Sequence, residues 1–438
     1  MIENIKIKNF LSFKEEQEIS FVASREKGQN PSESKNWYTK IGNIKLLKML
    51  IFIGNNGAGK TNALAAIKYL CHIALHKCND IEEKPNYEPF MLDDDSRNNP
   101  SEISIVYFIG DVRYSYHISV CANFIIEESL ILHNGRNTAS VFKRASNNNR
   151  TNISFGNACD LCAEDKKTLL ANTLGNTSVL ATFGSMNLTS AVLRNCYQYF
   201  RNEIRFVSES NFNPAKLVSD SASLNDPTVK KIIINVFKSV DVKICDYEVT
   251  EHIFDFPKNI LEDAPKSWIE QMKKEYPDGK IHKLEIKFMH NTTHGDYPID
   301  FEMESKGTIS MLHMIMLIFD MIKNRRSTFI DEFSYSVHQV SMDLMLRMFV
   351  ALSNRSQIII TTQTIALLNS IYIRRDALRI CQKTDDGETR IKVINQTLIH
   401  KNKNLYNVYM GNELAGLPFV EKDFRFEEFI QNIRKELK

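Results

Sequence analysis

Residues 54–61 read Gly54-Asn55-Asn56-Gly57-Ala58-Gly59-Lys60-Thr61, which has the spacing G-x-x-x-x-G-K-[ST] of a phosphate-binding loop. Such a loop works only between a buried strand and the start of a helix, so it constrains the fold on both sides. Both flanks are present. The apolar run Met49-Leu50-Ile51-Phe52-Ile53 predicts the strand, and Ala63, Ile67, Leu70 and Ala74 recur on one face of a following helix. Gly54, Gly57 and Gly59 let the backbone curl so that successive N–H groups point at phosphate oxygens, and the helix dipole adds to that attraction. Lys60 is placed to reach the β- and γ-phosphates, and the Thr61 hydroxyl to hold Mg²⁺. A glycine-rich turn that binds nothing is the bland reading. It is weak in a chain with only 16 glycines in 438 residues, three of them in this loop. The stretch implies a nucleoside triphosphate with Mg²⁺.

Composition bounds the rest. The length suits two or three domains, and 43% apolar residues can fill their cores. Lys and Arg number 55 against 53 Asp and Glu, so bulk charge gives no footprint for nucleic acid. Eight scattered cysteines suit reduced thiols in a cytoplasm better than a disulfide framework. The polar start Met1-Ile2-Glu3-Asn4-Ile5-Lys6 is unlike a signal peptide, and no run of 18 apolar residues spans a membrane. The expectation is a soluble cytoplasmic protein with no membrane contact.

Along the chain, Ile5, Ile7, Phe10, Phe13, Ile19 and Phe21 predict short strands, and residues 24–43 a polar loop. Residues 79–100 read first as a solvated loop, and second as one whose acidic run Asp93-Asp94-Asp95 binds metal. Alternation over 102–132 predicts antiparallel hairpins, and the Asn-, Ser- and Arg-rich stretch 133–160 a loop. Cys159-Asp160-Leu161-Cys162 is a lone C-x-x-C, read first as a helix start and second as a zinc or redox pair. Residues 165–206 and 226–240 predict helices without sustained heptads, and strand-like pieces at 243–255 and 282–289 lead back to the core.

A second cluster of chemistry lies far downstream. Ser327-Thr328-Phe329-Ile330-Asp331-Glu332 is a strand ending in two carboxylates, where Asp331 is placed to bind Mg²⁺ and Glu332 to act as general base on water. Upstream, Glu304-Ser305-Lys306-Gly307-Thr308 opens a helix, and its serine and glycine make a second anion site. Downstream, Ser336-Val337-His338 precedes a helix over about 340–352. The strand Gln357-Ile358-Ile359-Ile360-Thr361-Thr362 then ends at Gln363, which can hydrogen-bond a phosphate or water but cannot take a proton.

The order phosphate loop, Ser-x-Gly helix, Asp-Glu strand, strand-end sensor resembles the ABC-class ATPases. Within that class the chain is similar to bacterial relatives of the overcoming-lysogenization-defect and abortive-infection (AbiLi, RloA) proteins and of the PARIS defence ATPase subunit. The likeness covers most of the chain. It includes Ile5-Lys6-Ile7-Lys8-Asn9-Phe10-Leu11-Ser12-Phe13, Leu46-Leu47-Lys48, Pro89-Phe90-Met91-Leu92-Asp93, Arg374-Arg375-Asp376 and Gly416-Leu417-Pro418-Phe419. It implies an α/β ABC/SMC-type P-loop ATPase head with an inserted helical arm. The lobes would be residues 1–145 with the phosphate loop, a mainly helical arm at 146–281, and 282–438 with the signature, Asp-Glu strand and switch.

The resemblance also implies a head-to-head homodimer with two ATP molecules between the heads, Ser305 and Gly307 contacting the γ-phosphate held by the other copy. The implied function is the sensor or regulator of a two-component anti-phage system that controls a separate toxic effector, a TOPRIM-type nuclease, with a phage-encoded trigger. Three departures stand out. Residues 62–197 hold no glutamine for a Q-loop, Gln363 stands at the switch where many relatives have histidine, and Gly411-Asn412-Glu413-Leu414 replaces Gly-Arg-Tyr-Gly. The second of these predicts slow hydrolysis. The rival readings are an ATPase head fused to its own nuclease and a repair-type DNA clamp. The stretch after Asn369 is short for a nuclease domain, and Asp385-Asp386 sits in a turn. The missing coiled coil counts against the clamp.

Overall fold

The computed structural model describes residues 1–25, 35–135, 137–147, 150–207, 224–255, 269, 279–333, 337–394, 403–411 and 433. It opens with β1 (Ile2–Lys8), β2 (Gln17–Ser20), β3 (Tyr38–Ile41), β4 (Ile44–Leu47) and β5 (Met49–Ile53), and the phosphate loop then feeds α1 (Lys60–Leu75). After a short α2 (Asp94–Asn98) come β6 (Ser101–Ile109), β7 (Val112–Val120), β8 (Ile125–Asn134), β9 (Asn137–Asn147) and β10 (Arg150–Phe155). Then follow α3 (Ala163–Asn172), α4 (Val179–Gly184), α5 (Ala191–Gln198) and β11 (Ile204–Val207). Next are α6 (Pro227–Ser239), β12 (Ile244–Asp255), β13 (Lys280–Thr292), β14 (Gly295–Asp300) and α7 (Lys306–Asn324). The last elements are β15 (Ser327–Ile330), α8 (Gln339–Leu352), β16 (Gln357–Thr362), β17 (Leu378–Lys383), β18 (Thr389–Val393) and α9 (Leu405–Met410).

The sheet that carries the site has the order β11-β15-β16-β5-β17-β18 and is parallel except for the β17–β18 hairpin. A parallel strand covered on both faces needs apolar side chains at every position instead of alternate ones. That is why β5 is an unbroken run of five buried residues, and why β15 and β16 are buried throughout. On α1, Ala63, Ile67, Leu70 and Ala74 are all at most 1% exposed, so the periodic face is the one that packs. It meets α4, β6 and the π-turn at Tyr199–Glu203.

The second large sheet is antiparallel, in the order β10-β9-β8-β7-β6-β1-β2. Its hairpins over 102–132 follow the alternation, with Ile103, Ile105, Tyr107, Tyr114, Tyr116 and Ile118 turned inward. Tyr107 stacks on Tyr199 at 4.3 Å between ring centroids, which ties this sheet to the π-turn. The stretch 133–160 differs from the expected loop: most of it is β9 and β10, paired from Phe142↔Phe155 to Asn147↔Arg150. Its polar composition hid the strand because one of the inward residues is an arginine. Arg144 and Glu128 approach to 3.5 Å with both side chains fully buried. Carbonyls of Leu174, Gly175 and Thr177 take up the guanidinium, while Glu128 accepts from Tyr116 Oη and the Val179 N–H. A buried ion pair is tolerable only when its remaining donors and acceptors are satisfied in this way.

The described residues of 146–281, a range expected to be mainly helical, are part helix and part strand. Within it β10 belongs to the antiparallel sheet, α4 packs on α1, and β11 pairs in parallel with β15 at the edge of the site's own sheet. A four-residue strand directly after a helix has too short a periodicity to be read from sequence. Helix α6, by contrast, lies where its apolar spacing put it. It packs on a three-stranded sheet, β12-β13-β14, through Phe237 against Phe288. Among the described residues no helix is long and apolar enough to cross a membrane.

Candidate nucleotide site

The phosphate loop leaves the C-terminal end of β5 at the middle of its sheet, the position where open α/β sheets bind ligands. Two of its glycines have no room for a side chain. A Cβ on Gly54 would collide with the Cys381 carbonyl, and one on Gly59 with Thr389 and Ser12. Gly57 and Gly59 also take left-handed φ angles of 73° and 90°, while the space beside Gly57 is open. Asn55 closes the turn by accepting from the Ala58 N–H at 3.2 Å.

Behind the loop stands a brace that sequence reading missed. Asn62 Nδ2 donates to Ser12 Oγ at 2.7 Å, Thr389 Oγ1 lies 2.7 Å from the same oxygen, and the Thr389 N–H donates to the Ser12 carbonyl at 2.7 Å. Three small polar residues from β18, α1 and the turn after β1 thus set the loop's height above the sheet. Only the stretch around Ser12 had been singled out, and nothing local marks Thr389.

Lys60 is buried and folds back to donate to the Gly54 and Asn55 carbonyls at 2.8 and 2.9 Å. Burial lowers its ammonium pKa, opposed by Cys381, Asp331 and Glu332 nearby. A buried cation whose partners are only neutral carbonyls is a site that favours an anion.

The strand β15 delivers its carboxylates to the same place. Asp331 Oδ1 accepts from the Thr61 hydroxyl at 3.1 Å and from the Thr361 hydroxyl at 2.6 Å, while its N–H bonds the Val207 carbonyl. Glu332 sits at φ 55°, a left-handed angle that is uncommon for a side-chain-bearing residue, and its N–H donates to Thr361 Oγ1 at 2.8 Å. From the end of β16, Gln363 Nε2 donates to Glu332 Oε1 at 3.3 Å. The structure therefore brings together Gly54 through Thr61, Asp331, Glu332 and Gln363, and adds Thr361, which holds the Asp331 carboxylate and the Glu332 backbone N–H.

Two cis oxygen ligands at Mg²⁺ distances of about 2.1 Å stand roughly 3 Å apart, so the Thr61 and Asp331 oxygens fit a shared Mg²⁺ shell. The loop's amides, the α1 N-terminus and Lys60 fit a triphosphate.

Ser305 and Gly307 lie elsewhere in the chain's contacts. Ser305 is the N-cap of α7, accepting from the Thr308 N–H at 3.0 Å, and Gly307 is in the first turn. Among the described residues no recorded hydrogen bond joins them to the phosphate loop. Of the stretch Ser336-Val337-His338, Ser336 lies outside the described residues, while His338 N-caps α8. Asn412-Glu413-Leu414 and Gly416-Leu417-Pro418-Phe419 also lie outside them.

The other sequence candidates have structural explanations. Asp93 N-caps α2, accepting from the Ser96 N–H, and pairs with Lys14. Cys162 N-caps α3, with Sγ accepting from the Asp165 N–H. Arg374 and Asp376 form a buried ion pair, and Asp376 also accepts from the Ser24 N–H and hydroxyl. Asp385 and Asp386 are in the β17–β18 turn, closed by the Gly387 N–H on the Thr384 carbonyl.

Two family models match the sequence. One, described as an AAA domain, matches residues 4–167. The other, described as "AAA domain, putative AbiEii toxin, Type IV TA system", matches residues 194–369. No curated protein matches. Among solved structures, an SMC head bound to the C-winged helix domain of ScpA is similar at 12% identity over 89% of this chain and 97% of its own, with a TM-score of 0.40. The two segments similar to AAA domains together hold the site, with the phosphate loop in the first matched segment and the Asp331-Glu332 strand end in the second.

Proposed function

We propose that this chain hydrolyses ATP with Mg²⁺ at a site completed by a second copy of itself, and that this cycle regulates a separate toxic effector in a two-component anti-phage, abortive-infection system. The convergence of Thr61, Asp331 and Thr361, with Glu332 one residue on, carries the reading. On triphosphate binding, Lys60 exchanges its two carbonyl partners for phosphate oxygens. The bound Mg²⁺ would neutralise charge developing on the phosphates. Glu332 takes the proton of the attacking water, and Gln363 holds the Glu332 carboxylate while taking no proton itself.

Ser305 and Gly307 present the α7 N-terminus as an anion site that serves the partner copy. The three-stranded sheet gives a route for control. His290 of β13 pairs with Glu304, the residue before Ser305, and Phe301 packs between Phe288 and His313 of α7. An effector or phage trigger seated on that sheet would shift the signature helix, and head closure would shift the effector. The description of the second family model, which names a toxin system, supports the defence setting. A cytoplasmic location and a TOPRIM-type nuclease as effector belong to the same reading.

Two measurements test it. Co-expression with the neighbouring gene should give a complex whose toxicity needs both Lys60 and Glu332. The purified chain alone should leave DNA and RNA intact with Mg²⁺ or Mn²⁺. Cleavage by the lone chain would replace this reading with a self-contained DNA-processing ATPase.

A further inference from the structure

We propose that His76, Cys78 and Glu83 form a binding site for one zinc-class divalent ion at the end of α1 remote from the phosphate loop. His76 is the residue that caps α1, its N–H bonded to the His72 carbonyl at 2.7 Å, and the chain then loops back through residues 77–83. His76 Nε2 lies 2.6 Å from Glu83 Oε1. Donor atoms of His76, Cys78 and Glu83 all fall within 4.8 Å of one another. One nitrogen, one sulfur and one carboxylate oxygen make a donor set that zinc accepts, and three protein ligands leave a fourth position for water. That position faces outward, because His76 and Glu83 are partly exposed while Cys78 is buried.

The three donors are held in place by residues that are not donors. The His72 ring, one helical turn earlier, stacks on His76 with 4.7 Å between centroids and 14° between planes. Asn176 Nδ2 donates to the Asp80 and Glu83 carbonyls, both at 2.7 Å, and the Asn79 N–H donates to Glu83 Oε2 at 2.8 Å. The Cys78 N–H donates to Thr177 Oγ1 at 3.2 Å. Metal ligands are commonly oriented by such outer hydrogen bonds.

A His–Glu surface pair alone is worth little and requires no sulfur at its side. Binding replaces the Cys78 S–H bond with a sulfur–metal bond and releases that proton to water. The ion would fasten the last turn of α1 to Asn176 and Thr177, and so fix the far end of the helix that begins with Lys60. This inference does not depend on the proposed function.

The test uses the full chain, stripped with chelator and titrated with Zn²⁺ against a chromophoric competitor, with metal content read by mass spectrometry. One equivalent should bind. Co²⁺ in its place should give the strong visible bands of a four-coordinate thiolate site. His76→Ala, at an exposed position, and Glu83→Gln should each weaken Zn²⁺ binding by more than about a hundredfold with an unchanged circular dichroism spectrum. Cys78→Ser should abolish the cobalt–thiolate band. The Cys159→Ser, Cys162→Ser double variant should bind as wild type. Absence of zinc binding overturns the proposal. So does wild-type affinity in His76→Ala and Glu83→Gln, or loss of the ion only in the Cys159/Cys162 variant.

Discussion

The Thr61 hydroxyl donates to the Asp331 carboxylate across 3.1 Å, joining the first residue after the loop lysine to a strand end 270 positions away. Thr361 reinforces the link from the neighbouring strand, with 2.6 Å to the same carboxylate oxygen and 2.8 Å to the Glu332 N–H. Thr361→Val keeps the shape and removes both bonds. Leaving the Glu332 N–H without its acceptor costs about 1–3 kcal/mol. ATP turnover should fall at least about tenfold as Asp331 and Glu332 lose their orientation. Urea unfolding and steady-state turnover measure the two effects separately. Wild-type turnover would remove Thr361 from the site.

Lys60→Ala should weaken triphosphate binding by about 2 kcal/mol or more, roughly thirtyfold, since it removes the cation of charge-assisted bonds. Isothermal titration with a non-hydrolysable analogue reads this directly, and an unchanged Kd would refute the assignment of the loop.

Glu332→Gln retains size and the 2.8 Å backbone bond to Thr361 but removes the basic oxygen. Nucleotide affinity should stay within a few-fold while turnover drops by about 10²–10⁴. The variant should accumulate as an ATP-bound dimer in light scattering. Equal hydrolysis by wild type and variant would show that another group is the base.

Ser305→Arg should block the paired, hydrolysing state while each chain still binds ATP. The cap geometry requires a control, because losing the Ser305–Thr308 bond itself costs about 1 kcal/mol. Ser305→Thr keeps a capping oxygen and should retain both dimer formation and turnover. Mixing Ser305→Arg with Lys60→Ala should restore at most one working site per dimer. Full activity from Ser305→Arg alone rejects the shared site.

Lys48 predicts a pH dependence. It is buried beneath the C-terminus of α8, donating to the Val350 and Ser353 carbonyls, and burial lowers its pKa to about 8 from the ordinary 10.5. Between those values the unfolded chain binds more protons than the folded one, so this residue makes stability rise with pH across the window. Its contribution is complete above the unfolded value and lost as pH falls through about 8. Comparing urea midpoints at several pH values between 8 and 10.5, Lys48→Met should show a shallower rise than wild type. Parallel curves would mean that Lys48 titrates normally.

What could be read from sequence follows from how local each determinant is. The loop Gly54–Thr61, β5, α1, α7 and the strand ending at Asp331 were legible because each is set by its own local spacing of glycines or apolar residues. Strand β9 was not, because Arg144 points inward and owes its place to Glu128 and to carbonyls from another segment. The Ser12–Asn62–Thr389 brace and the Thr361 link were hidden for the same reason: ordinary polar residues become positioning groups only when distant strands meet.

Strand β5 has as its sheet neighbours two segments made very late. Met49 pairs with Ile358, and Ile51 with Leu378. During synthesis the phosphate loop therefore leaves the ribosome long before either strand that flanks its own, and a nascent chain carries the motif without the sheet that shapes it. Loop closure over such a separation is slow, and exposed strand edges invite aggregation meanwhile. A cell would thus gain nucleotide binding from this protein only as its translation nears residue 380, and ribosome-stalled fragments ending before β16 should remain unable to hold ATP.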